Sequence, residues 1–141
     1  MKKAVFALFL SMAFLVTSSA WANGYLDTAA LLLDESKRSV SWIERRFGDK
    51  ALAEVAHMLA EARVQAGRRM TVHKNAERAH PHLLLALETI ERALFAAKNG
   101  DGRRFLRLVR TAREEERTYR ELLQQSKMRL PEIERAPRTR R

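Results

Sequence analysis

The chain has 141 residues, no cysteine, and 27 Lys and Arg against 17 Asp and Glu, a formal net charge of +10. That length suits one domain held by an apolar core, and the missing cysteines exclude a disulfide scaffold and thiolate chemistry. The charge favours anionic partners: phospholipid head groups, anionic glycans, an acidic protein or nucleic acid.

Residues 1–22 read as a cleaved secretory signal peptide. Lys2 and Lys3 give a positive start, residues 4–16 form an almost unbroken apolar run, and Ala20-Trp21-Ala22 places small residues around a cleavage site. The run is shorter than the roughly 20 residues a membrane span needs, and no cysteine stands at the cleavage point to carry a lipid anchor. Export, most simply into a bacterial periplasm, makes nucleic acid the least expected anionic partner. Loss of Lys2 and Lys3 leaves +8 on the mature chain, which no later apolar segment is long enough to anchor across a membrane.

Residues 23–130 read as one helical domain. The first helix is expected over about 27–47, with Leu26, Leu33, Val40 and Phe47 at heptad spacing and Gly48 to stop it. Asp49 is a suitable N-cap for the second helix. Leu52, Val55, Leu59, Ala62 and Ala66 then share one face, and Gly67 is expected to end it. The third helix has an ambiguous start, because Pro81 suits a first turn and disrupts an interior. Either a short helix over 69–79 precedes a separate one, or a long helix kinks at Pro81. From Leu83 onward Leu87, Ile90, Leu94 and Ala97 form a clear stripe, closed by Asn99-Gly100-Asp101-Gly102 with Asp101 as the next cap. The last helix is expected over 103–130, with Phe105, Leu108, Val109, Ala112, Tyr119 and Leu123 inward. Residues 131–141, with two prolines and four arginines, read as a disordered basic tail. Short loops and no strand pattern imply an all-α, up-and-down antiparallel bundle of four helices, cored by Leu33, Val40, Leu59, Leu87, Ile90, Leu94, Leu108 and Leu123.

One segment repeats. Gly67-Arg68-Arg69-Met70 returns thirty-five residues later as Gly102-Arg103-Arg104-Phe105, and at that offset Val55 falls on Ile90 and Leu59 on Leu94. This is the pattern of a duplicated α-hairpin. Thirty-five is also five heptads, so two amphipathic helices at that offset align without common origin.

Among residues that carry chemistry, the four histidines come first. His73, Glu77 and His80 stand at i, i+4 and i+7, and a regular helix would present all three on one face, with His82 just beyond Pro81 as a further ligand. Imidazole and carboxylate at that spacing suit copper, nickel or zinc. The same residues also read as ordinary half-exposed histidines near a helix end. Glu54-Val55-Ala56-His57 and Glu77-Arg78-Ala79-His80 are both Glu-x-x-His, a pair that builds di-iron centres when both project into a bundle core. With Leu52, Val55 and Leu59 inward, Glu54 and His57 fall toward solvent, which argues against such a centre.

The last helix carries an arginine stripe opposite its apolar face: Arg103, Arg107, Arg110, Arg113, Arg117 and Arg120. Glu114 and Glu121 follow Arg110 and Arg117 by four residues, so a solvated face laced with ion pairs is one reading. A docking surface for an anionic lipid or polysaccharide is the other. No nucleophile-and-base arrangement, phosphate-binding glycine loop or His-Glu-x-x-His motif occurs, so an enzyme is not expected.

From residue 51 to about 119 the chain resembles the small periplasmic metal-binding proteins of the SmbP type. Leu59-Ala60-Glu61-Ala62 leading to Gly67, with His57 before it, matches one of that family's helix-and-turn units. Ala86-Leu87-Glu88 through Ala93-Leu94 leading to Gly100 matches the next. His73 and His80, seven apart, are similar to its histidine spacing. The resemblance implies an exported, cysteine-free helical bundle that binds metal ions. The family's histidine after the turn glycine is replaced here by Arg68 and Arg103, and the first helix has no counterpart in it.

Two functional readings follow. One is a non-catalytic protein that binds or buffers a divalent transition ion, with affinity rising between about pH 5 and 7 as imidazole loses its proton. The other is a structural or adaptor bundle whose arginine face meets an anionic envelope component, weakening with salt and indifferent to that pH range. Export itself is directly testable. Mass spectrometry of protein recovered from the periplasm is expected to show an N-terminus at Asn23, and an intact Met1 in the cytoplasm would refute it.

Overall fold

The computed structural model describes residues 2–133, with side chains from Gly24 onward. Four helices, α1 (Lys2–Arg45), α2 (Lys50–Arg68), α3 (His80–Lys98) and α4 (Gly102–Gln125), pack into an all-α bundle with no strand among the described residues. Neighbours run antiparallel: His57 of α2 meets Glu91 of α3, whereas Gly67, further along α2, lies against Leu84 and Leu87. None of the described helices is long and apolar enough to cross a membrane. The expected leader, residues 1–22, lies outside the residues whose side chains are described, and so does the tail from residue 134.

Local chemistry sets most boundaries. Asp49 accepts a hydrogen bond from Leu52 N (3.0 Å) and Asp101 from Arg104 N (3.1 Å), so both expected caps form. Each is worth about 1 kcal/mol. Pro81 occupies the first turn of α3, where its missing N–H costs nothing. Before it the chain makes only a single 3-10 turn, Lys74–Ala76. α1 runs through Asp27 instead of starting there, and it stops at Arg45, ahead of Phe47. α4 ends at Gln125, earlier than expected, because Lys127 turns into the left-handed region (φ 57°) and Met128 N bonds back to Leu123 O. This returns Leu130 and Ile133 onto the core, so Ile133, expected in the disordered tail, packs against the bundle.

Of the expected core, Leu33, Val40, Leu87, Ile90, Leu94 and Leu123 are buried, Leu108 is half-buried, and Leu59 is 40% exposed. The exception belongs to α2 as a whole. Its inner face is Ala53, Ala56, His57, Ala60, Arg63, Val64 and Gly67, while Val55 and Met58 point outward. The helix is turned by about 100°, one residue's worth, from the orientation its largest apolar side chains suggest. Small residues let α2 approach α3 closely: a Cβ on Gly67 would stand 2.9 Å from Leu87 Cδ1. Gly67 therefore lies within the last turn of α2 as a packing residue, and it does not adopt the left-handed conformation of a terminating glycine.

The same rotation separates the two apparent repeats. Ala51, Val55, Leu59 and Ala62 are exposed, whereas their partners at the thirty-five-residue offset, Ala86, Ile90, Leu94 and Ala97, are buried. Gly67 lies at the end of α2, and Gly102 begins α4. The offset aligns a solvent face with a core face, as the five-heptad coincidence allows, and the two hairpins are not structurally equivalent.

A buried polar network ties all four helices together at one end. Tyr25 of α1 lies 3.0 Å from both His80 Nδ1 and the Tyr119 hydroxyl of α4. His80 also bonds to the Gly67 backbone of α2. The Tyr25 hydroxyl can donate to Nδ1 while accepting from Tyr119, an arrangement that satisfies both phenols. Burial raises both tyrosine pKa values, so neither hydroxyl ionises. Burial also lowers the pKa of His80 below its ordinary 6.5, with the Gly67 bond offsetting part of the effect. A histidine whose folded pKa is depressed takes up its proton first in the unfolded chain. Stability is therefore complete above about pH 6.5 and falls as pH drops through that value, until the folded pKa is passed. Urea denaturation between about pH 7.5 and 5.5 is expected to show a loss of at most about 1.4 kcal/mol per pH unit from this proton. The loss should shrink in His80→Gln, whose amide keeps both hydrogen bonds without titrating. Tyr25→Phe should cost about 1–3 kcal/mol at neutral pH, because it orphans a buried imidazole nitrogen.

Candidate metal centre

The sequence places a metal site on His73, Glu77, His80 and His82, and the structure does not bring these four together. The single face they would share requires a regular helix from 73 to 80, and the chain there is a 3-10 turn followed by the start of α3. His73 accepts from Asn75 N (3.1 Å) as the cap of that turn. Glu77 is exposed and precedes the helix. His80 is committed to Tyr25 and Gly67 in the core. His82 pairs with Glu115 of α4 at 2.8 Å.

The histidine that gains carboxylate neighbours is His57, which the sequence reading turned toward solvent. Rotation of α2 buries it, with its ring against Phe95 of α3 at 5.4 Å between centroids. His57 Nε2 lies 2.8 Å from Glu91 Oε1 across the α2–α3 seam and 3.8 Å from Glu61 Oε1, one turn on along α2. Potential ligand atoms of all three residues fall within 4.8 Å of one another. Glu54, the other half of the Glu-x-x-His motif, is exposed and takes no part.

The donor set fits a first-row divalent ion. Tetrahedral bonds of about 2.0–2.2 Å put ligand atoms about 3.3–3.6 Å apart. Glu91 would back away by about 0.5–0.8 Å, and Glu61, whose side chain is 58% exposed, would close in by about 0.2–0.5 Å. One neutral imidazole and two carboxylates carry −2 and would neutralise the ion. Three protein ligands leave at least one coordination position for water, an arrangement suited to exchange. The i, i+4 pair His57 and Glu61 is visible in the sequence, as is the alanine stripe beside it. Glu91 requires knowledge of how α2 and α3 are rotated.

The arginine stripe lies on the outward face of α4, and Arg103, Arg107, Arg110, Arg113, Arg117 and Arg120 are all exposed. Arg120 pairs with the buried Glu116 (2.9 Å) and Arg113 with Glu44 of α1 (3.4 Å). The pairs expected of Arg110 with Glu114 and Arg117 with Glu121 do not form. Among the described residues no ion pair involves Arg103, Arg107, Arg110 or Arg117.

Fold and site together describe a four-helix bundle with a His/Glu/Glu cluster across one helix seam and a basic face on the last helix. No protein-family model, curated protein or solved structure matches the chain.

Proposed function

We propose that the chain is an exported, non-catalytic helical bundle that binds a first-row divalent transition ion reversibly through His57, Glu61 and Glu91. The observation that carries this reading is the convergence of one buried imidazole and two carboxylates from two helices. Copper is favoured over nickel and zinc, since nitrogen and oxygen donors without thiolate follow the general stability series. The open coordination position suits buffering or transfer of the ion better than a permanent structural role. The resemblance to SmbP-type proteins points to the same compartment and the same class of ligand, through a different set of residues.

A second reading, a structural or adaptor bundle whose basic face meets an anionic envelope component, is favoured by the four arginines of α4 that have no ion pair among the described residues. It uses another surface and does not compete with the first.

Calorimetry on tag-free protein at neutral pH is expected to give saturable copper binding with Kd on the order of 1 μM, about −8 kcal/mol. Glu91→Gln should weaken it at least about tenfold, since even outer-shell partners of a metal site are worth that much, and His57→Ala should abolish it with the helical signal intact. His73→Ala should bind as the parent does. Binding that survives His57→Ala, or no saturable heat with copper, nickel or zinc, would end the proposal.

A further inference from the structure

The first half of α4 departs from the electrostatics of a solvated helix. Residues 102–113 hold Arg103, Arg104, Arg107, Arg110 and Arg113 with no Asp or Glu, and all four glutamates of the helix come later. Cations in the opening turns oppose the helix dipole, whose positive end lies there. Asp101, as the N-cap, answers the dipole through the Arg104 amide, but Arg103, Arg107 and Arg110 have no ion pair among the described residues. Such a surface is complementary to a dense array of negative charge.

Apolar side chains in the same area decide what kind of array. Leu106 is 58% exposed and falls within the arginine face, between Arg103 and Arg110 at three- and four-residue steps. Phe47, also exposed, lies on Gly102, where a Cβ would meet its ring at 3.3 Å, and it stacks at 5.8 Å from Phe105. Leu106 is one helical turn beyond Gly102 on the same side of α4. Phe47 and Leu106 thus stand out from a bed of guanidinium groups. A soluble glycan or polyphosphate has no use for them, whereas a lipid head-group layer admits apolar side chains between its acyl chains while its phosphates meet the arginines.

Resting on the second reading above, we propose that this face of α4, with Phe47, docks the bundle onto a membrane surface rich in anionic phospholipid. Arg103, Arg107 and Arg110 bind phosphate, and Leu106 and Phe47 enter the interface. Binding does not use the cluster on α2 and α3, so metal and membrane can be bound at once.

The test is partitioning of the full chain onto vesicles of phosphatidylcholine, with and without phosphatidylglycerol. The apolar segment at 4–16 can bind both kinds of vesicle, so the readout is the ratio of the two partition coefficients. The parent is expected to favour the anionic vesicles, with a preference that falls as salt is raised. Arg103→Glu with Arg107→Glu should reduce the ratio on the order of 20-fold or more, at about fivefold for each arginine removed. Glutamate at 103, in the first turn, favours the helix, and an unchanged far-ultraviolet dichroism spectrum of the variant shows that lost binding is not unfolding. Leu106→Ser should weaken binding to the anionic vesicles several-fold at fixed salt. A ratio unchanged by the double charge reversal would overturn both the membrane proposal and the adaptor reading beneath it. If heparin binds with the same charge dependence, and Leu106→Ser and Phe47→Ser leave vesicle binding unchanged, the membrane proposal alone fails and a soluble polyanion takes its place.

Discussion

The hydrogen-bonded chain Tyr119–Tyr25–His80–Gly67 is the constraint on which much else in the molecule depends. Two phenols and an imidazole are expensive to bury, and the expense is recovered only if every polar atom finds a partner. Four elements must meet to supply those partners, one from each helix. The network therefore specifies the register of α1 and α4 against α3 more sharply than apolar contact alone, which tolerates sliding. It also fixes where α3 begins. With His80 held in the core as the first helical residue, Pro81 falls in the first turn, and the segment before it must cross from α2 within a few irregular residues. His80 cannot serve both this network and a metal ion on the surface.

A second consequence runs through α2. Ala53, Ala56, Ala60 and Gly67 form an inner face with little side-chain bulk, so α2 and α3 can approach closely. Close approach brings His57 within hydrogen-bond distance of Glu91; bulkier residues along the seam would separate them. The price is an outer face that keeps Val55, Met58 and Leu59 in contact with solvent. Helix packing here selects for size before hydrophobicity, because dispersion gains depend on interlocking surfaces at short range.

That selection explains what could be read in the sequence and what could not. The helices, the caps at Asp49 and Asp101 and the break at Gly100 were legible because each is decided by a few neighbouring residues, whereas Pro81 left two readings open and the structure puts it in the first turn of α3. α3 was legible for another reason: Leu83, Leu87, Ile90 and Leu94 leave no competing apolar face of comparable size. α2 was not, since two of its faces are apolar and only the partner helix decides between them. Misassigning that face placed His57 in solvent and hid the one histidine with two carboxylates beside it. The His73, Glu77 and His80 spacing misleads for a complementary reason: helical periodicity does not hold across 73–79, where the backbone makes a 3-10 turn and not an α-helix. The arginine face was located correctly, because α4 has a single strong apolar side, but its ion pairs were not. Arg110 and Arg117 do not take the glutamates four residues on, and Arg120 instead reaches back to Glu116, a buried carboxylate also bonded to Lys37.

Charge distribution reconciles a strongly basic chain with the cation site proposed on α2 and α3. Net charge acts at long range only weakly, since salt screens exposed charges beyond about 8 Å at physiological ionic strength. What an incoming ion meets is local. Around the α2–α3 seam stand Glu61, Glu88 and Glu91, with Arg68 already paired to Glu88 at 3.0 Å. The uncompensated arginines lie on the outward face of α4, a different helix. Leaving residues 102–113 with five arginines and no Asp or Glu costs some helix stability, most plainly at the start of α4. The chain retains that cost while satisfying nearly every local rule elsewhere, and a broken local rule inside a consistent fold is where selection for binding is most directly legible.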